Sequence, residues 1–447
     1  MKSDIKDLTE GSLWSGILFF SIPLILSNLL QILFNMSDIA VIGRFAGPAA
    51  LGSVGSTTTL VMIFTGFLMG MGGGVNVLTA RFFGQDHPEE VRSAVHTSFL
   101  ISLAAGMLLL LLGEVFCKGI LILLRTKEEL LSGAVLYLRI YFLGMPALAV
   151  YNFGQAVFSA AGDTRKPLMF LLVSGIMNVL LNLFFVLALG MDVAGVAIAS
   201  ILAQYVSAAC IMTALVRVRG PHAFRISALK ADPDKVRSVL NIGFPAGLQN
   251  MIFSVANLFV QFGVNSFSAV MVAGNAAAQN ADGLAYDVMA AFYTACGSFM
   301  GQNYGAGKRA RVLGSYRVSL IYSFGAGALI GGVLILMGEH FLGIFTSDPE
   351  VVESGMYRLR IMGFSYAFSA FMDCTIAASR ALGRGVVPTV IVLLGSCVFR
   401  VLWVMTVFAY FHTITSLYLL YICSWAITAA AELVYFRRVC VKLSLVS

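Results

Sequence analysis

Hydrophobic residues run through this chain in long blocks rather than in alternation. About twelve blocks reach the roughly 20 residues that a helix needs to cross a bilayer. They lie near 13–42, 50–78, 94–113, 133–156, 168–189, 195–216, 239–263, 270–299, 316–337, 356–378, 389–410 and 414–436. Several contain Gly or Pro, so tilted or kinked helices are expected. The first block follows MKSDIKDLTEGSLW, which has mixed charge and no small-residue cleavage site. The block is too long for a signal peptide and reads as a retained first span. The pattern predicts an all-α membrane protein.

The blocks also repeat. Ser21-Ile-Pro23 corresponds to Gly243-Phe-Pro245, and Gly84-Gln85 to Gly301-Gln302. Tyr137-Leu-Arg139-Ile140 corresponds to Arg358-Leu-Arg360-Ile361, and SAAGDTRKP to ASRALGRGVVP. An offset of about 217–222 residues throughout marks a duplication. Six spans per half, an even number, insert both halves the same way round and give a pseudo-two-fold axis along the membrane normal. The expected domains are an N-lobe at 1–216 (helices 1–6), a polar linker at 217–238 and a C-lobe at 239–447 (helices 7–12). A cavity is expected between the lobes.

Polar positions inside the blocks carry the candidate chemistry. In Leu24–Arg44, Asn28, Gln31, Asn35 and Asp38 are spaced to share one helix face. An Asp at a membrane helix centre costs roughly 2.5–3.5 kcal/mol on insertion scales, so it is expected at water, a partner or an ion. Asn178 and Asn182 share a face of the fifth span, and Ser200 lies in the small-residue run GVAIASILAQ of the sixth. Together with Asp38 they offer hard oxygen ligands for Na⁺, or a proton site on the acid. The amides would serve equally well in interhelical hydrogen bonds.

Elsewhere, the eighth span carries Asn275, Gln279, Asp282 and Tyr286, with Asp287 beside them. Asp282 either lines a cavity or is solvated at the outer end. Asp373 lies well inside the tenth span, and Arg400 of the eleventh is a candidate partner, which would make both structural. The seventh span repeats the polar stripe as Asn250, Ser254, Asn257, Gln261 and Asn265 without an acid. Val260 stands where Asp38 stands in the first. Cation chemistry is therefore expected in the N-lobe. Gln31, Asn35, Asn257, Gln279, Asp282, Asp287 and Asp373 are the candidate lining of a substrate cavity.

Composition narrows the function. The chain is 59% hydrophobic and 11% charged, against roughly 25% charged in soluble domains. The net charge of +7 sits in short loops, with no basic domain for nucleic acid. With a cytoplasmic N-terminus carrying Lys2 and Lys6, the outer side holds only Arg44, Lys118, Arg125, Lys127, Arg139, Arg358 and Arg360. That is a bias of about three to one toward the inside and predicts both termini in the cytoplasm. The seven cysteines form no CxxC pair, and only Cys117 is expected in an outer loop, so neither a disulfide framework nor a metal site is expected. GQNYGAGKRAR (301–311) lacks the phosphate-loop spacing and reads as a turn with positive-inside charge. No His–Ser–Asp set appears, and the five histidines fall in or near loops. No enzyme activity and no cofactor beyond a coupling ion is expected.

Pro23 and Asp38 in the first span, the two Gly-Gln loops, GDTRKP, Asn178/Asn182, and Asp373 before Arg380-Ala-Leu-Gly383 are similar to one family. Almost the whole chain resembles the multidrug and toxic compound extrusion transporters. The resemblance implies twelve helices in two six-helix lobes of a plasma-membrane protein, acting as a monomer. It implies antiport of small organic, often cationic, compounds against Na⁺ or H⁺ by alternating access between the lobes. Asp38 resembles the family's first-helix cation residue, and Asn178, Asn182 and Ser200 match its N-lobe site. Many members carry Asp where this chain has Asn182. Asp373 resembles the C-lobe acid of one branch, whose seventh-span Glu is absent here near Phe253. The alternative is a lipid-linked oligosaccharide or phospholipid flippase of the same superfamily. That function calls for a cationic cavity, whereas the expected intramembrane charges are mostly acids, Arg400 being the main exception. A channel or receptor-like scaffold would show no substrate counterflow.

Overall fold

The computed structural model describes residues 6–446, so Lys2 lies outside the described residues. All regular structure among them is helical. The elements are α1 (Leu13–Val41), α2 (Gly47–Gly84), α3 (Pro88–Leu123), α4 (Glu128–Phe142), α5 (Met145–Ala160), α6 (Arg165–Leu183), α7 (Val193–Arg217), α8 (Pro233–Val264), α9 (Ala269–Gly305), α10 (Arg309–Gly343), α11 (Pro349–Ala381), α12 (Val386–Phe411) and α13 (Ile414–Lys442). Most extend beyond the apolar blocks by a turn or more, because helices continue into the polar zones that flank a hydrocarbon core.

Nine helical runs among the described residues are long and apolar enough to cross a membrane, or ten with the bent pair α4–α5. One run, Leu13–Gly84, has 72 residues. At about 1.5 Å per residue it far exceeds a core of about 30 Å and must cross twice. It turns at a π-helical segment, Ile42–Ala46, followed by Gly47 at φ 87°, a conformation in which a Cβ would clash. α9 is long enough but too polar to qualify, since Asn275, Gln279, Asn280, Asp282 and Asp287 interrupt it. These runs give twelve crossings. The fourth is broken by 47° between α4 and α5, where Pro146 opens the new helix without a backbone donor to lose.

Contacts divide the chain into two compact units. The first holds Leu26–Met251 with residues up to Asp7, and the second holds Leu8–Ile25 with the chain from Ile252 onward. These limits depart from the 1–216 and 239–447 lobes expected from the repeat. The first part of α1 belongs with the C-terminal spans, and the linker and first part of α8 with the N-terminal ones. Both helices contain an internal proline shortly before the boundary, Pro23 and Pro245. Each proline removes one rung of the helical ladder and favours a change of direction there.

Packing within each unit explains the exchange. In the first unit, α8 lies backbone to backbone on α2. A Cβ on Gly74 would stand 2.6 Å from Gly243 Cα, so only glycine fits. Asn250 Nδ2 donates to the Gly66 carbonyl at 2.9 Å. In the second unit, Phe20 packs edge-on against Phe299 at 5.5 Å. Leu8 N donates to Gln302 Oε1 at 3.0 Å, and Asn303 Nδ2 to the Leu8 carbonyl at 3.1 Å. Lys308 Nζ reaches Thr9 Oγ1 at 2.8 Å, and Arg311 Nη1 the Gly11 carbonyl at 2.8 Å. The loop 301–311 is therefore more than a charged turn, since its polar side chains hold residues 8–11 in place.

The linker is held by α3. His96 Nδ1 lies 2.7 Å from the Arg92 carbonyl, and its Nε2 lies 3.0 Å from Arg225 backbone atoms. His96 is buried within α3, not in a loop. Cys117 is likewise buried inside α3 rather than in an outer loop, and all seven cysteines are free thiols. Asp232 caps α8 ahead of Pro233, accepting from the amides of Asp234 at 2.9 Å and Lys235 at 3.4 Å, while Ser93 donates to it at 3.1 Å. Slight burial disfavours the Asp232 charge. The Asp234 amide, the Ser93 hydroxyl and the amide and charge of Lys235 outweigh it and hold the carboxyl below its usual range. A lowered native value means that this contribution is present above the unfolded value and is lost as pH falls through the native one. Cleavage of the linker at Phe224 and Leu229 by pepsin, which is active in acid, is expected to accelerate relative to Asp232→Ala as the medium is acidified through that window. At neutral pH, Asp232→Ala is expected to be cut by trypsin at Arg225 and Lys230 roughly fivefold faster than the native protein, for a cap worth about 1 kcal/mol.

Candidate functional site

Within the first unit, α6 packs on α7, which buries Gly195, Ala197, Ala199 and Ala203, and Gly175 of α6 leaves room for the Phe34 ring of α1. Close packing of this kind brings polar side chains from neighbouring helices into hydrogen-bond range. Asn182 Nδ2 donates to Asp38 Oδ1 at 2.5 Å, and Ser200 Oγ donates to Asp38 Oδ2 at 3.2 Å. Asn182 also donates to Asn178 Oδ1 at 3.4 Å. Asn178, Asn182 and Ser200 are buried, and Asp38 is half-buried. Two tyrosines of α4, Tyr137 and Tyr141, stack at 5.7 Å and lie within electrostatic reach of Asp38.

The Asn182 Oδ1 atom is buried without a donor. Beside it stand a carboxylate, a second amide oxygen and a hydroxyl. An oxygen set of this kind suits a small hard cation, or a proton on Asp38 that leaves the neighbouring acceptors satisfied. The structure thus brings together Asp38, Asn178, Asn182 and Ser200. Gln31 is half-buried and Asn35 exposed on the preceding turns of α1, and neither joins the cluster.

The polar residues of the second unit arrange differently. Asp282 is neither free in a cavity nor simply solvated. Arg358 pairs with it through Nη2 and, at 3.1 Å, through Nε, and the Tyr366 hydroxyl donates to it as well. Arg358 Nη1 donates to Asn275 Oδ1 at 2.8 Å, which also accepts from Tyr418 at 3.1 Å. Arg358 is 2% exposed within α11, so it is a packed helix residue rather than a loop charge. Its neighbours Tyr357 and Arg360 make the segment read as a membrane edge, while its own position faces the core.

Gln279 donates to Gln261 at 3.3 Å, and Asp287 lies half-buried on α9, five residues beyond Asp282. Arg400 Nη1 donates to Asn257 Oδ1 at 2.9 Å, and the guanidinium lies over Phe253 and Tyr421, at 5.3 and 4.7 Å. The expected Arg400–Asp373 pair is therefore replaced by an amide and two ring faces. Asp373 has Arg380, Tyr293 and Arg400 within electrostatic reach, but no ion pair joins it to either arginine among the described residues.

The sequence reading set Arg358 among the outer-side charges rather than in a core pair, and it missed Glu432. Glu432 is an acid inside the apolar run 414–436 and is fully buried in α13. The signal that singles out Asp38 applies to it equally.

The duplication has a counterpart in family comparison. The MatE family model matches residues 23–184 and again 245–406, the second match starting 222 residues after the first. The chain is 27% identical to the probable multidrug resistance protein YpnP of Bacillus subtilis strain 168, over 81% of each chain. It is 23% identical to the FAD transporter of Shewanella oneidensis strain MR-1, again over 81% of each. A solved structure of a multidrug resistance MATE family transporter in an outward-facing conformation superposes with a TM-score of 0.90, at 20% identity and 98% coverage of both chains. With the family model matching both halves of an all-helical, twelve-crossing membrane protein, this chain belongs to the MatE family of multidrug and toxic compound extrusion transporters.

Proposed function

We propose that the protein exports small organic compounds by antiport against Na⁺ or H⁺, with Asp38 as the group that binds the coupling ion. The observation that carries this reading is the oxygen cluster of Asp38, Asn178, Asn182 and Ser200 inside the first unit. An intramembrane acid surrounded by hydroxyl and amide groups, with one acceptor left over, suits reversible occupancy better than permanent pairing. Ion binding shifts the balance between two states of the transporter only by its differential affinity for them. Loss of the Asp38 charge also weakens attraction for a cationic compound, which links the two fluxes. The protein works as a monomer in the cell membrane with both termini in the cytoplasm and needs no cofactor other than the coupling ion.

The test is efflux of ethidium from proteoliposomes under separately imposed Na⁺ and pH gradients. Transport driven by one of them is expected. Dye movement indifferent to both would remove the antiport reading. A second reading, a flippase or carrier for phosphate-bearing cargo, draws on Arg400, a buried guanidinium whose close partners are neutral. It calls for gradient-independent flipping of a fluorescent phospholipid in the same vesicles.

A further inference from the structure

Glu432 plays no part in the Asp38 site, yet it is the one buried glutamate among the described residues, with 0% of its surface exposed. Neither of its carboxylate oxygens has a hydrogen-bond partner. An ionised carboxylate held without donors away from water is strongly disfavoured, whereas the neutral acid is tolerated. A deep acid with no donor is not built as a static ion pair.

Its charged neighbours come from α11. Asp373 and Arg380 lie seven residues apart, on one face of that helix, and both are within electrostatic reach of Glu432. Arg380 Nη2 donates to Thr389 Oγ1 at 3.3 Å. From α12, Arg400 acts on Asp373 and on Cys397, and from α9, Tyr293 and Tyr286 face Asp373 and Arg380. Tyr435 on α13 itself completes the titratable groups near Glu432. The two acids are not equivalent. Asp373 has two guanidinium groups and a phenol at hand. Glu432 shares one guanidinium with Asp373 and faces the Asp373 charge. Two interacting acids share their protons as a unit, and Glu432 is the one whose two oxygens are buried without a donor.

We propose that Glu432 is a second proton-binding site of this protein, held in the second unit beside Asp373 and Arg380. It is separate from Asp38 in the first unit and stands whether or not the protein is an antiporter.

The test is infrared spectroscopy of the full-length protein in lipid vesicles across a pH series, with and without carbon-13 glutamate. A protonated carboxyl band that moves with glutamate labelling is expected at neutral pH, and it should vanish reversibly at alkaline pH. E432Q should remove it, while D373N and D38N should keep it. Absence of a labelled band at neutral pH, its survival in E432Q, or a band unchanged up to the pH of unfolding would each overturn the proposal. If E432Q fails to fold, the labelled native protein still decides the matter, because no other glutamate among the described residues is buried.

Discussion

Asp38→Asn is expected to fold normally and to lose coupled export. The asparagine keeps the shape of the side chain and one oxygen to accept from Asn182, so the packing of α1 against α6 and α7 survives. What disappears is a group that can hold a cation or change its charge. Coupling free energies of 1–3 kcal/mol correspond to roughly 5–150-fold changes in affinity, and a loss within that range is expected in gradient-driven export. The measurement is ethidium accumulation in cells whose surface expression of native and variant protein is matched. Equal export by both would contradict the role given to Asp38. Ser200→Ala is a milder change, because Asn182 still donates to the carboxylate.

Arg358→Met is expected to have the largest effect on stability. It strips Asp282 of its counter-charge, leaving the carboxylate only the Tyr366 hydroxyl, and removes one of the two donors to Asn275. Breaking one side of a buried pair costs about 3–5 kcal/mol, and the lower end applies because Asp282 keeps some exposure. The expected result is a marked fall in the midpoint of thermal unfolding of the detergent-purified protein. The double variant R358M/D282M should recover most of it, since an apolar pair leaves no uncompensated charge. If Asp282 instead served mainly as an acid lining a cavity, Arg358→Met would be nearly neutral and Asp282→Asn would alter transport without altering stability.

The parts of this molecule that were legible in the sequence share a physical cause. A span of about 20 apolar residues is visible because lipid demands it, and a carboxylate inside one stands out because lipid penalises it. Asp38 is conspicuous for that reason. Asn178 and Asn182 stand out because an i, i+4 pair of amides shares a helix face. The exchange of the first halves of α1 and α8 between the units was not legible. Hydrophobic periodicity shows that a helix buries a face but not which neighbour buries it, and the glycine contact of Gly74 with Gly243 spans 169 positions of the chain. Arg358 was misplaced because positive charge near a span end reads as a loop. Only three-dimensional packing shows that it turns inward to Asp282. Arg400 was correctly placed inside a span, yet its partner is Asn257 rather than Asp373, because guanidinium groups accept amide oxygens and ring faces as well as acids.

Ion release on binding of an export substrate tests the role of Asp38 most directly. Purified protein in weakly buffered solution, or preloaded with radioactive sodium, is mixed with ethidium and the protons or sodium set free are counted. Reciprocal linkage calls for release of about one ion per chain from the native protein, and none from Asp38→Asn. Undiminished release from the variant would place the coupling ion elsewhere in the molecule.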